Sequence, residues 1–143
     1  MRINGEWYVG DENIARPIIR GAIRDRNGAW QRTLFLVDTG ADRTVFSAAI
    51  LAVLGLSPAA SHERLGGVGG QAEAVEVETQ IRFFHDGPGQ VVFRGQYAAF
   101  TSLEALDISV LGRDITDLFT IIIDRPHTLV CLLRERHRYM ITP

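Results

Sequence analysis

Asp38 ends the apolar lead-in of LFLVDTGADRTVF, residues 34–46. An ionised carboxylate at the end of a buried strand is costly unless something nearby compensates it. Asp38-Thr39-Gly40 occurs once in 143 residues. Alone it is weak evidence, because Thr-Gly is common turn chemistry and a strand can simply stop at an aspartate. Two further segments change the weighing. Leu65-Gly66-Gly67-Val68-Gly69-Gly70 reads as a glycine-rich hairpin, and Val110-Leu111-Gly112-Arg113-Asp114 sets two apolar residues before Gly-Arg. A phosphate-binding loop needs a helix just after its glycines, whereas QAEAVEVETQI, which follows them here, alternates like a strand. His62, His85, His127 and His137 show no metal-ligand spacing, so no metal site is expected.

The elements that must hold these groups are mostly strands. Residues 16–24 and 30–37 read as strands joined at Asp25-Arg26-Asn27-Gly28, where Asn-Gly supplies the positive φ of a tight hairpin. A short strand resumes at 44–46, and Ser47 is placed to cap a helix, AAILAVLG, that stops at Gly55. In VEVETQIRF (75–83), Val75, Val77, Thr79, Ile81 and Phe83 alternate with Glu76, Glu78, Gln80 and Arg82, the period of two of a half-buried strand. HDGPG (85–89) is a turn before a strand at 91–100. Asp114 is placed to cap a short helix, ITDLF, and TIIID and TLVCLL close the chain as strands around Arg125-Pro126-His127. Residues 1–15 are polar and mixed and read as a loose or accessory N-terminal arm; residues 16–143 read as a single mostly β domain with one or two short helices.

Composition agrees with one globular domain: 46% hydrophobic and 22% charged residues, formal net charge −2. That charge gives no reason to expect nucleic acid or a membrane as partner, and the basic run Arg134, Arg136, His137, Arg138 reads as a solvated turn. All 15 basic residues are arginine, which reads as coding bias. Cys131 is the sole cysteine, so an internal disulfide is excluded, and within TLVCLL it reads as a small buried hydrophobe. MRINGEWYVGDENIAR has no apolar stretch like that of a signal peptide, and a cytoplasmic location is expected.

In order and approximate spacing over residues 16–124, the DTGAD, LGGVGG and VLGRD segments resemble the retroviral-type (retropepsin-like) aspartic proteases, and bacterial single-lobe members of that group are the nearest guess. The interval from LGGVGG to Gly112 is longer than in the viral enzymes, with HDGPGQ as the site of the extra length. The resemblance implies a closed, β-barrel-like protease lobe. It also implies a homodimer, because a chain with one Asp-Thr-Gly loop supplies the second by pairing about a two-fold axis. Asp38 would face its twin there. Two carboxylates about 3 Å apart repel by roughly 5 kcal/mol at an effective dielectric near 20, so they share one proton. The ionised member activates a water and the protonated one donates to the scissile carbonyl. No cofactor or metal is needed.

By matching the motif, Asp38, Thr39 and Gly40 take the catalytic loop. Thr39 would tie the two loops together, and Gly40 would leave room for the substrate backbone. Ala41 and Asp42 would bind substrate along with Gly66, Gly67, Val68, Gly69 and Gly70, a flap closing over an extended peptide or protein substrate. Asp42 and Arg113 match a structural ion pair, with Gly112 beside it. Ala41 stands where many relatives carry Ser or Thr, so activity is expected at weakly acidic to neutral pH. Arg43 replaces an acidic residue found in some viral members. Val45, Val68 and Val110 would line apolar subsites. The reading is therefore an aspartic endopeptidase cutting at apolar sites. The alternatives are a non-catalytic dimerisation or peptide-binding module, and a lobe whose dyad never forms.

Overall fold

The computed structural model describes residues 1–58, 62–67 and 70–135, with backbone alone at 62 and 63. The strands are β1 (Arg2–Asn4), β2 (Glu6–Val9), β3 (Ala15–Arg24), β4 (Trp30–Val37), β5 (Val45–Phe46), β6 (His62–Gly67), β7 (Gly70–Phe84), β8 (Gln90–Phe100), β9 (Ser109–Leu111), β10 (Thr120–Asp124) and β11 (Leu129–Leu133). Two helices join them, α1 (Ala48–Leu54) and α2 (Arg113–Thr116).

The larger sheet runs β2-β3-β4-β9-β5-β8-β7-β6, and β3 also pairs with β7 through Ala22–Arg82 and Ile23–Ile81. That last pairing returns the ladder to β3, so β3, β4, β9, β5, β8 and β7 form a closed hydrogen-bonded ring. Closure encloses a core, and β2 and β6 remain at the two ends of the sheet. Phe35, Phe46 and Phe83 are fully buried inside it, with Phe35 edge-on to Phe83 at 5.5 Å between ring centroids. Alternate residues of β7, from Val75 to Phe83, are the ones facing this core, as their period of two requires.

Local chemistry accounts for the short elements. Ser47 accepts a hydrogen bond from the Ile50 N–H, and Gly55 ends α1 in the left-handed region at φ 60°. The 25–28 turn is closed by Asp25, whose carboxylate accepts from the N–H groups of Asn27 and Ala29, both at 2.9 Å. Cys131 is buried, and burial pushes its thiol up, so it sits in the core as an inert thiol.

Residues 1–15 differ from a loose arm. β1 pairs with β11 (Ile3–Leu132), making a small sheet β1-β11-β10, and β2 pairs with β3 (Trp7–Pro17). Ile3 is almost wholly buried, and Trp7 packs against the core with its indole donating to the Asp124 carbonyl at 3.2 Å. Burying these side chains is what ties the segment down. The second helix also starts earlier than ITDLF. Its N-cap is Gly112, which has no capping side chain, and Asp114 lies inside it with its carboxylate turned elsewhere.

Candidate active site

The Asp38 loop leaves the end of β4 and is held by the chain around β9. The parallel pairing of β4 with β9 sets Val37 beside Leu111, and the Asp38 N–H then donates to the Leu111 carbonyl at 3.2 Å. Within the loop, Asp38 Oδ1 accepts from the Gly40 N–H at 2.9 Å and the Asp38 carbonyl accepts from the Ala41 N–H at 3.2 Å. The Arg113 N–H reaches the Ala41 carbonyl at 2.8 Å, and the Asp114 N–H reaches that of Asp42 at 3.2 Å. Residues 38–42 are thus stitched to residues 111–114 by main-chain hydrogen bonds.

Beneath this loop lies a contact that sequence reasoning did not find. Thr44 is completely buried. Its N–H and hydroxyl both donate to Asp114 Oδ1, at 2.9 and 2.7 Å, and the hydroxyl accepts from the Gly112 N–H at 3.1 Å. A carboxylate taking two donors from one residue is better satisfied there than as a helix cap, which is why Asp114 does not cap α2. The only local signal was a threonine before Val-Phe, since the partners lie about seventy residues apart. Gly112 is needed for close packing: a Cβ there would stand 2.2 Å from the Arg43 carbonyl carbon and 2.7 Å from the Thr44 nitrogen.

Above the loop is a cleft of about 710 Å³. Its floor includes Asp38, Gly40, Ala41, Asp42, Arg43, Val45 and Val110, and its roof is the hairpin of β6 and β7, with Leu65, Gly66, Gly67 and Gly70 facing in. Val68 and Gly69 lie outside the described residues. A third wall was not anticipated. Phe100 at the end of β8, with Ser102 and residues 104–106 of the loop between β8 and β9, lines the cleft. That loop is anchored by Arg16, which clasps Asp107 with both terminal nitrogens, at 2.7 and 3.1 Å.

Asp38 itself is half-buried, while Thr39 and Gly40 are exposed. Arg113 donates to Asp42, pairing the two residues that the motif pairs, although both side chains remain at least half exposed. Arg43 forms a 2.6 Å bond to Glu76 on β7, so the cation is held against the cleft wall. Among the described residues no cluster of His, Cys, Asp and Glu is arranged to hold a metal.

A model of the family described as "Aspartyl protease" matches residues 20–115. The chain belongs to that family. Its structure is similar to EIAV protease complexed with the inhibitor HBY-793, at TM-score 0.52 and 25% identity over 71% of this chain and 86% of that one. It is also similar to a retropepsin-like aspartic protease from Rickettsia conorii, at TM-score 0.55 and 17% identity over 92% and 88% of the two chains. No curated protein matches the chain. The lobe is mostly β and retropepsin-like, as the three segments imply. It places family residues Asp38, Gly40 and Ala41 on the floor of one cleft under the glycine-rich hairpin. No helix among the described residues is long and apolar enough to cross a membrane.

Proposed function

We propose that this protein is a homodimeric aspartic endopeptidase cleaving extended peptides at apolar sites. The observation that carries the reading is the single Asp38, held by Leu111 and Gly40 at the floor of an open cleft, with Thr39 exposed beside it. One carboxylate can take a proton but cannot also present one, and aspartic protease chemistry needs both at once. A second copy of the chain supplies the second Asp38 across a two-fold axis, and the exposed Thr39 is placed to meet its twin. At such short separation the two carboxylates share one proton. The ionised carboxylate takes a proton from water as that water attacks the scissile carbonyl, and the other carboxyl protonates the carbonyl oxygen. The tetrahedral intermediate then collapses with proton transfer to the leaving amine.

Gly40, Ala41, Asp42, Val45 and Val110 line the cleft, which supports a reading in which the first three flank an extended substrate backbone and the two valines meet its side chains. Residues 66–70 act as the flap. Glycines there allow main-chain N–H groups close to the substrate, and closing over it excludes water. Arg113 and Gly112 support the loop from behind.

The test is cleavage of a mixed peptide library from about pH 3 to about pH 8 by the wild type and by Asp38→Asn, with dimer content measured for both. Cleavage that disappears in the variant while the dimer persists supports the dyad. A folded, dimeric wild type that cuts nothing makes the lobe a binding module instead. An inactive monomer overturns the assembly.

A further inference from the structure

Four arginines share the outer face of the closed sheet, away from the cleft. Period-two alternation and the strand registers put them there. One row across four strands reads Arg32, Ala22, Arg82, Val92, through the pairs Ala22–Arg32, Ala22–Arg82 and Arg82–Val92. The neighbouring row holds Trp30 opposite Arg24 and Gln80 opposite Arg94. On the far side of Arg82, Phe84 stands opposite Gln90. None of these residues lines the cleft.

These guanidiniums share one face and, among the described residues, lack the carboxylate partner that four other arginines have. Arg16, Arg20, Arg43 and Arg113 are each bonded to a carboxylate. Arg24, Arg32, Arg82 and Arg94 have no carboxylate partner among the described residues. Gln80 sits between two of them: its amide reaches Arg24 Nη1 at 3.3 Å, and turned over it accepts from Arg94 Nη2 at 2.6 Å. Arg82 lies over two rings, 4.4 Å from the centroid of Trp30 and 5.0 Å from that of Phe84. Its Nε is buried and has no hydrogen-bond partner among the described residues. Phe84 is 62% exposed and Val92 40%. Glu78, opposite Gln96, is an acidic residue at the border of the patch.

We propose that this face is a docking surface for an acidic, extended polypeptide segment. Four unneutralised guanidiniums on a surface roughly 15 Å across, at strand spacing, are complementary to a run of carboxylates, which arginine holds bidentately. Arg82 loses little freedom on binding because it already lies over the two rings. Phe84 and Val92 supply the apolar contact that an interface rich in arginine and aromatics uses. A polypeptide fits better than a nucleic acid. Arg82 already covers a face of each ring that would otherwise stack on bases.

The experiment is fluorescence anisotropy of the intact protein with three labelled probes: a peptide alternating Glu and Ser, one alternating Lys and Ser, and an oligothymidylate of matching charge. The Glu peptide is expected to bind and to weaken as salt rises. It should bind roughly threefold to fivefold more weakly for each arginine removed in Arg32→Ser, Arg94→Ser and Arg82→Gln. Arg125→Ser, whose guanidinium lies over Trp7 outside the patch, should leave binding unchanged. Circular dichroism confirms that each variant is folded. The proposal is overturned if the Glu peptide fails to bind, if Arg125→Ser weakens binding as much as the patch variants, or if the oligothymidylate or the Lys peptide binds more tightly.

Discussion

Thr44 decides how rigidly Asp38 is held. Its hydroxyl gives a hydrogen bond to Asp114 and takes one from the Gly112 N–H, so it couples both halves of the loop assembly. Thr44→Val keeps the shape and leaves that buried N–H without a partner. A loss of about 1–3 kcal/mol in stability is expected, read from urea unfolding, together with a fall in kcat on the peptides that the wild type cuts. Gly112→Ala should cost at least as much for a different reason. Its new methyl overlaps backbone of Arg43 and Thr44, which no rotamer change relieves, and overpacking of that kind costs about 1–3 kcal/mol or more. Arg113→Ala is the contrasting case. The Arg113–Asp42 pair is largely open to water in the single chain, and its loss should change stability of the monomer by less than about 1 kcal/mol. The same unfolding measurement at low protein concentration ranks the three.

Elements fixed by chemistry between near neighbours were legible in the sequence, and those fixed by distant partners were not. The hairpin at 25–28, the caps Ser47 and Gly55, and the alternation along β7 all depend on residues close in the chain, and each was found where expected. β1 and β2 were missed because RIN and EWYV are too short to show alternation, and what holds β1 lies more than a hundred residues away at Leu132. The Thr44–Asp114 clasp failed for the same reason. So did the cleft wall at residues 100–106, whose position depends on Arg16 gripping Asp107 across 91 residues. That grip has a pH signature. The Arg16 hydrogen bond holds the Asp107 carboxyl below the usual carboxylate range, so its stabilisation is full above the unfolded value near 3.9 and is lost as pH falls through the lower folded value. Asp25, held down by Gln31, Asp86, by the Arg2 N–H, and Asp124, by His127, act in the same direction. Stability should therefore decline below about pH 4. Asp107→Asn should cost within about 1 kcal/mol at neutral pH and nothing once the wild-type carboxyl is protonated, as urea midpoints at the two pH values would reveal.

For the whole molecule, the ring of β3, β4, β9, β5, β8 and β7 closes within one chain, while the proposed dyad needs an Asp38 from each of two chains. Stability and activity should consequently separate with concentration. Dilution below the dimer dissociation constant should abolish cleavage and leave the β signal of the lobe in circular dichroism largely intact. Mixing gives a sharper reading, because a shared dyad makes activity depend on pairs of chains. If wild type and Asp38→Asn exchange freely in equal amounts, about one quarter of the dimers carry two aspartates. Activity per total protein should then fall to about one quarter of the pure wild type, since a dimer with one aspartate and one asparagine has lost the group that takes the proton or the group that gives it. A lobe that cut peptides as a monomer would retain about one half under the same mixing. The titration of wild type with Asp38→Asn at fixed total protein follows a parabola in the first case and a straight line in the second, and a straight line would rule out the shared active site.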